Sequence, residues 1–285
     1  QRELASLQRQ GNLLNEKLEE NVNAIIAMEK FAHYYLNEPH AYSANRPKLA
    51  QEGDRYYLDI PAHDVINRTK NISGNITGIG NIESFDKPLN QELAMANALT
   101  PAFITAQKSV GFARWYYYVS LKRFVNLYPW IGRHSWQYSD RMLNNVHINK
   151  IRAAKKGEIA WSSPYQDSAG TGLNTSLGIG LYRQQAFKGA IVIDISLAKM
   201  EQNLPDVDRP GLAYVLLNRD NKVLAYKSST NSQISINTQW QEVMPSELAS
   251  LSWQQFSQQP DTSVLGNWLV NKKTLSVNGW KLIKY

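Results

Sequence analysis

Residues 161–197 read WSSPYQDSAGTGLNTSLGIGLYRQQAFKGAIVIDISL, and this stretch decides the fold. Its second half contains the apolar, β-branched run Ala190-Ile-Val-Ile193, which predicts a buried strand that follows a turn at Lys188-Gly189. Asp194 interrupts this run between two isoleucines. Because a buried carboxylate needs hydrogen-bond donors or a charged partner, we expect Asp194 to find donors inside the fold or to face a ligand cavity.

A second acid lies upstream, in the segment Trp161-Ser-Ser-Pro-Tyr165-Gln-Asp167. Tyr165 and Asp167 are two residues apart, so an extended backbone places both side chains on one face. The sequence therefore predicts that Asp167 and Asp194 can line one pocket.

The pattern W-S-S-P-Y-x-D, followed by a Gly/Thr-rich strand and F-K-G-A-I-V-I-D-I-S-L, resembles the double Cache (PDC, PAS-like) sensor domains of bacterial transmembrane signalling proteins. This resemblance implies an α+β fold, in which a long N-terminal helix precedes two PAS-like modules, each an antiparallel sheet flanked by helices. It implies a signalling and dimerisation helix over residues 1–38, a membrane-distal, ligand-binding module over 39–204 and a membrane-proximal module over 205–285.

The resemblance also implies site residues. Tyr165 and Asp167 would form one wall of the distal pocket, and Asp194 would form its floor. Many amino-acid-sensing members carry R-x-W-Y just before the PYxD segment, whereas this chain has His147-Ile-Asn-Lys150-Ile-Arg152 there. Arg152, Lys150 or His147 can supply the cation that an anionic ligand group requires.

Residues 113–130, ARWYYYVSLKRFVNLYPW, predict an antiparallel hairpin because two aromatic, β-branched runs flank Ser-Leu-Lys-Arg. Alternation places Tyr117 on one face and Tyr118 on the other, and Tyr118 is taken as a candidate ligand contact. Helices are predicted over residues 88–106, 142–154 and 247–256. A second hairpin is predicted over residues 211–226, with further strands over 267–270 and 274–285.

Residues 2–37 contain no proline and carry apolar residues at three-four spacing, which predicts a long amphipathic helix. From Leu4 to Leu18 the apolar stripe is thin, as in a parallel helix pair. We therefore expect this half to project beyond the globular body and to form a homodimer contact.

Composition excludes several classes of protein. The 285 residues include no cysteine, which rules out disulfides and thiolate chemistry. The net charge is +7, but the 31 lysines and arginines are scattered, which argues against a nucleic-acid partner. The five histidines have no metal-binding spacing, and neither a GxGxxG nor a GxxxxGK[ST] motif occurs. We expect no catalytic activity and no cofactor.

Together with the resemblance to double Cache domains, these observations favour the periplasmic ligand-binding region of a bacterial inner-membrane receptor, and we expect its flanking membrane segments to have been cut away. The expected ligand is a small amine, amino-acid-like molecule or carboxylate. The resemblance implies a cytoplasmic output domain, with a diguanylate cyclase favoured and a histidine kinase next. The alternatives are a freestanding periplasmic binding protein or enzyme, and a Cache module that responds to a partner protein.

Overall fold

The computed structural model describes residues 2–37, 47–58, 74–230 and 234–285. They fall into two compact units. The first unit comprises Gln1–Glu19, Ser163–Thr175 and Ser196–Tyr285, and the second comprises Glu20–Ser162 and Ser176–Ile195. The predicted boundary between the helix and the distal module, at residues 38 and 39, lies outside the described residues.

The N-terminal helix, α1, spans Arg2–Asn37 as predicted. Its thin stripe does not project from the molecule, however, because Leu7, Leu14 and Leu18 are all 0% exposed. In the first unit, Asn15 Oδ1 accepts a hydrogen bond of 3.0 Å from the Val277 amide. The predicted projection is therefore wrong, and the dimer contact is not shown, since the chain itself buries the leucines on which it rested.

The second unit is built on an antiparallel sheet with the strand order β1-β2-β3-β5-β4-β9-β8-β6, and β7 joins the start of β8 in the first unit. The strands are β1 Leu49–Glu52, β2 Arg55–Leu58, β3 Asn75–Ile79, β4 Ala113–Ser120, β5 Phe124–Tyr128, β6 Ile159–Trp161, β7 Tyr165–Gln166, β8 Leu173–Arg183 and β9 Ala186–Ser196. The predicted aromatic hairpin is β4 and β5, and both strands are almost entirely buried.

The turn that precedes the Asp194 strand lies at Gln184-Gln185, not at Lys188-Gly189 as predicted. Both glutamines have positive φ, 49° and 67°, as a two-residue hairpin turn requires. Gly189 instead lies inside β9, where a Cβ atom would come within 2.3 Å of the Val119 carbonyl oxygen. This glycine therefore serves the close approach of β4 and β9 rather than a turn.

The helix predicted over residues 88–106 is two helices, α2 (Lys87–Ala98) and α3 (Thr100–Ser109), which meet at Leu99. Pro101 lies in the first turn of α3, where its missing amide hydrogen costs least. The helix predicted over 142–154 begins as a 3₁₀ turn, Asp140–Asn144, and continues as α4 (Val146–Ala153).

The first unit contains the short helix α5 (Leu197–Gln202) and a second antiparallel sheet of order β11-β10-β14-β13-β12. Its strands are β10 Ala213–Leu217, β11 Val223–Ser228, β12 Thr262–Leu265, β13 Trp268–Thr274 and β14 Lys281–Lys284. Trp240 and Phe256 stack with ring centroids 5.0 Å apart in its core.

Two predictions for the first unit need correction, and one strand was not predicted. The helix predicted over 247–256 is two short helices, α6 (Ser246–Ala249) and α7 (Trp253–Ser257). The strand predicted from residue 274 is interrupted, because the chain turns between Leu275 and Trp280 before β14 begins. Strand β12 was not predicted. Among the described residues, no helix has the length and apolar character needed to cross a membrane.

Candidate ligand-binding site

Four buried polar side chains of the second unit meet on one face of its sheet. Tyr117 Oη and Ser176 Oγ donate hydrogen bonds to Asp194 Oδ1, over 3.2 and 2.8 Å. Tyr117 Oη also lies 3.0 Å from His147 Nε2. Asp194 is 5% exposed and His147 is 7% exposed. We refer to Tyr117, His147, Ser176 and Asp194 as the Asp194 cluster.

Strand register explains why these side chains share a face. Tyr117 of β4 lies opposite Val192 of β9, and paired residues of an antiparallel sheet point to the same side. Asp194 is two residues beyond Val192, so the pleat returns its side chain to that side. Helix α4 adds His147 from its buried face, which also carries Ile148 and Ile151.

The protonation state of His147 follows from its burial. Burial lowers the pKa of His147 to about 4, because desolvation penalises the imidazolium, and the ring is therefore neutral at neutral pH. Tyr117 Oη donates a hydrogen bond to Asp194 Oδ1 and is also within hydrogen-bond distance of His147 Nε2. Two hydroxyl groups, of Tyr117 and Ser176, thus donate to one oxygen of the Asp194 carboxyl group. Such an arrangement suits a ligand that carries a positive charge and hydrogen-bond donors.

Tyr165 and Asp167 belong to the first unit. The Asp167 carboxylate accepts hydrogen bonds from the amides of Ala169 and Thr171, at 3.1 and 3.2 Å, and from the Thr171 hydroxyl. Asp167 therefore holds the turn that leads into β8. Tyr165 pairs with Asn174 across β7 and β8. Asn174 is 0% exposed, and neither the oxygen nor the nitrogen of its side-chain amide has a hydrogen-bond partner within the described residues.

The other predicted site residues do not join the Asp194 cluster. Tyr118 points to the opposite face of β4 and donates a hydrogen bond of 2.8 Å to Glu92. Arg152 is exposed, and its guanidinium lies 5.7 Å from the ring centroid of Phe187. Lys150 reaches the Trp161 carbonyl at 3.4 Å. Of the predicted residues, the structure thus brings His147 and Asp194 together.

Sequence reasoning missed Tyr117 and Ser176. Alternation separated Tyr117 from Tyr118 correctly, but it does not say which face of a buried strand carries the acid. Ser176 lies in a Gly/Thr-rich strand without a distinguishing pattern. Among the described residues, no group of three or more His, Asp or Glu side chains is arranged to hold a metal ion.

No family model and no curated protein sequence match the chain. Among solved structures, it is similar to the ligand-binding domain of the Pseudomonas aeruginosa PAO1 amino-acid chemoreceptor PctC in complex with GABA. The identity is 11%, the alignment covers 99% of each chain, and the TM-score is 0.50. This similarity confirms the predicted fold, that of double Cache ligand-binding domains with a long N-terminal helix and antiparallel sheets flanked by helices.

Two further structures have TM-scores of 0.48. The ligand-binding domain of the Pseudomonas fluorescens chemoreceptor CtaA in complex with L-alanine is 14% identical, with 98% of this chain and 95% of that chain covered. The sensory domain of the Campylobacter jejuni chemoreceptor Tlp3 with isoleucine bound is 12% identical, with 98% and 91% covered. All three structures are ligand-binding or sensory domains of chemoreceptors.

Proposed function

We propose that this chain is the small-molecule-sensing region of a bacterial membrane receptor, and that its ligand binds at the Asp194 cluster. The observation that carries the proposal is a buried carboxyl group that accepts hydrogen bonds from two hydroxyl groups and lies close to a neutral imidazole. Buried polar side chains that converge on one point of a fold mark a candidate binding site, and the Asp194 cluster is such a convergence.

The proposed ligand carries an ammonium group, as an amine or an amino-acid-like molecule does. Asp194 provides the charge that attracts an ammonium group, and Tyr117 and Ser176 fix the orientation of its carboxylate. GABA, in the PctC complex, is a molecule of this class. Tyr118 and Arg152 are left out of the proposed site because their contacts lie elsewhere. The roles of Tyr165 and Asp167 stay predictions from the sequence.

In this proposal the chain lies on the periplasmic side of the inner membrane. A ligand that binds one conformation of the second unit more tightly than another shifts the population toward it. Helix α1 contributes residues to both units, so it is the element proposed to carry the displacement toward the membrane. The proposed output is a cytoplasmic diguanylate cyclase, with a histidine kinase as the next choice.

The test is thermal unfolding of the chain with a panel of amines, amino acids and carboxylates, among them GABA, L-alanine and putrescine. We expect an ammonium compound to raise the melting temperature. Asp194→Asn keeps the shape of the side chain but removes its charge, and should weaken binding by about 10- to 100-fold, the cost of a hydrogen bond to a charged group. Asp54→Asn, an exposed substitution in the same unit, should leave the affinity unchanged.

If a compound binds the Asp194→Asn protein as tightly as it binds wild type, the assigned site is wrong. A hit that is a carboxylate without an amine would refute the ligand class. If no compound raises the melting temperature, a receptor that responds to a partner protein becomes the better explanation.

A further inference from the structure

A second buried carboxyl group lies in the second unit, on the face of β4 opposite the Asp194 cluster. Glu92 of α2 is 5% exposed, and its Oε1 accepts hydrogen bonds from Tyr118 Oη at 2.8 Å and from Ser120 Oγ. Tyr118 and Ser120 are both on β4 and are themselves 0% exposed. Glu92 therefore ties helix α2 to the central strand.

The groups that face Glu92 come from several elements. Strand β4 presents Tyr118 and Ser120, and β2 presents Tyr56, whose fully buried hydroxyl has no hydrogen-bond partner within the described residues. Lys188 of β9 and Lys122, in the turn between β4 and β5, are cations that act on Glu92 only through their electric field. Tyr138 acts in the same way on Tyr56.

Burial dominates this balance. Desolvation raises the pKa of Glu92, and the hydrogen bonds from Ser120 and Tyr118 and the two lysines oppose it without cancelling it. Burial and the neighbouring Glu92 raise the pKa of Tyr118, so its hydroxyl keeps its proton and remains a donor. An ionised Glu92 would thus be surrounded mostly by neutral groups in a medium of low polarity.

Strand β4 connects this carboxyl group with the Asp194 cluster. Tyr118 bonds to Glu92 on one face, and the adjacent residue, Tyr117, bonds to Asp194 and His147 on the other. A change in the hydrogen bonds of Tyr118 and Ser120 acts on the backbone that also positions Tyr117. The connection runs through residues 117–120, which are the last four residues of β4.

We propose that Glu92 is a regulatory proton-binding site, which holds a proton in the folded unit and whose ionisation loosens β4 beneath the Asp194 cluster. Its connection with ligand sensing rests on the proposed function above, but proton binding itself does not. Because the folded unit binds this proton more tightly than the unfolded chain, the contribution of Glu92 to stability is complete below the ordinary carboxyl range. This contribution is lost as the pH rises through the raised pKa of Glu92 in the folded unit.

The test compares wild type with Glu92→Gln, which keeps both acceptor contacts and mimics the protonated carboxyl group. As the pH rises from about 5 to about 8, the melting temperature of wild type should fall by several degrees relative to that of the variant. Glu83→Gln, a substitution of an exposed glutamate in the same unit, should show no such change with pH relative to wild type. At about pH 8, hydrogen exchange of the β4 amides, including that of Tyr117, should be slower in Glu92→Gln than in wild type.

A difference in melting temperature that stays constant with pH would overturn the proposal, and so would unchanged β4 exchange. If Glu92→Gln does not fold, carbon-13 NMR of the glutamate carboxyl groups in wild type decides: every glutamate titrating in the ordinary range would refute it. None of these measurements uses a ligand, so they stand apart from the compound panel.

Discussion

At the scale of single residues, His147 makes the second unit sensitive to acid. Its buried ring has a pKa of about 4, whereas an unfolded histidine titrates near 6.5. The unfolded chain therefore binds this proton first as the pH falls. The free energy of unfolding should decrease by about 3 kcal/mol between about pH 6.5 and pH 4 through this residue alone.

The measurement is denaturant unfolding at neutral and acid pH, for wild type and for His147→Gln. Glutamine can still form a hydrogen bond with Tyr117 but does not titrate, so the variant should lose less stability on acidification. His134→Gln, at an exposed position of the same unit, serves as the control. If the His147 ring titrates at its ordinary value in NMR spectra, the account of His147 as a buried, neutral ring fails.

The residue scale also shows what the sequence can and cannot predict. Asp194 stood out because an acid inside a β-branched run has few explanations. Tyr117 and Tyr118 have identical side chains in one aromatic run, and only the register with β9 separates their roles. Glu92 carried no signal, because its helical pattern does not reveal that the carboxyl group faces the sheet.

At the scale of elements, α1 provides the clearest distinction between an internal contact and a seam between chains. Leu14 is 0% exposed, whereas its neighbour Leu13 is 52% exposed. Leu14→Ala should lower the free energy of unfolding by about 2–5 kcal/mol, as deletion of a buried leucine side chain does. Leu13→Ala should cost less than about 1 kcal/mol. Denaturant unfolding of both variants measures the difference.

Sedimentation of the same two proteins tests the seam hypothesis. If the stripe were a contact between chains, Leu14→Ala would dissociate a dimer and leave the stability of each chain as it was. The period of the apolar residues predicts a helix either way. It does not identify the surface that covers the stripe, because a neighbouring sheet and a second helix bury leucines at the same spacing.

Element boundaries failed where two physical causes give one sequence pattern. Lys188-Gly189 has the composition of a turn, but the glycine is there because β4 and β9 pack too closely for a side chain at this position. Gln184 and Gln185 form the actual turn with residues that seldom adopt positive φ. Residues 88–106 kept a helical spacing across Leu99, although the chain starts a new helix there.

At the scale of the whole molecule, the order of the parts predicted the fold although no family model matches the chain. At 11% identity to the PctC domain, few side chains are shared, yet the alignment spans 99% of both chains. The long helix, the aromatic hairpin, the acid-bearing strand and the final strand each follow from local patterns. Together they leave few arrangements other than two antiparallel sheets with a helix that contributes to both units.

Each unit has its own core, so a deep substitution in one should affect chiefly that unit. Trp240 is 2% exposed in the first unit, and Phe103 is 0% exposed in the second, where it stacks on Tyr116. Replacing either by alanine should cost about 3–5 kcal/mol. In calorimetry, Trp240→Ala should lower the temperature of one transition and Phe103→Ala that of the other.

Trp240→Ala should keep the pH dependence that depends on Glu92, because that residue lies in the second unit. If both variants shift one common transition equally, the units unfold as a single cooperative body, and protonation of Glu92 would then be felt throughout the chain.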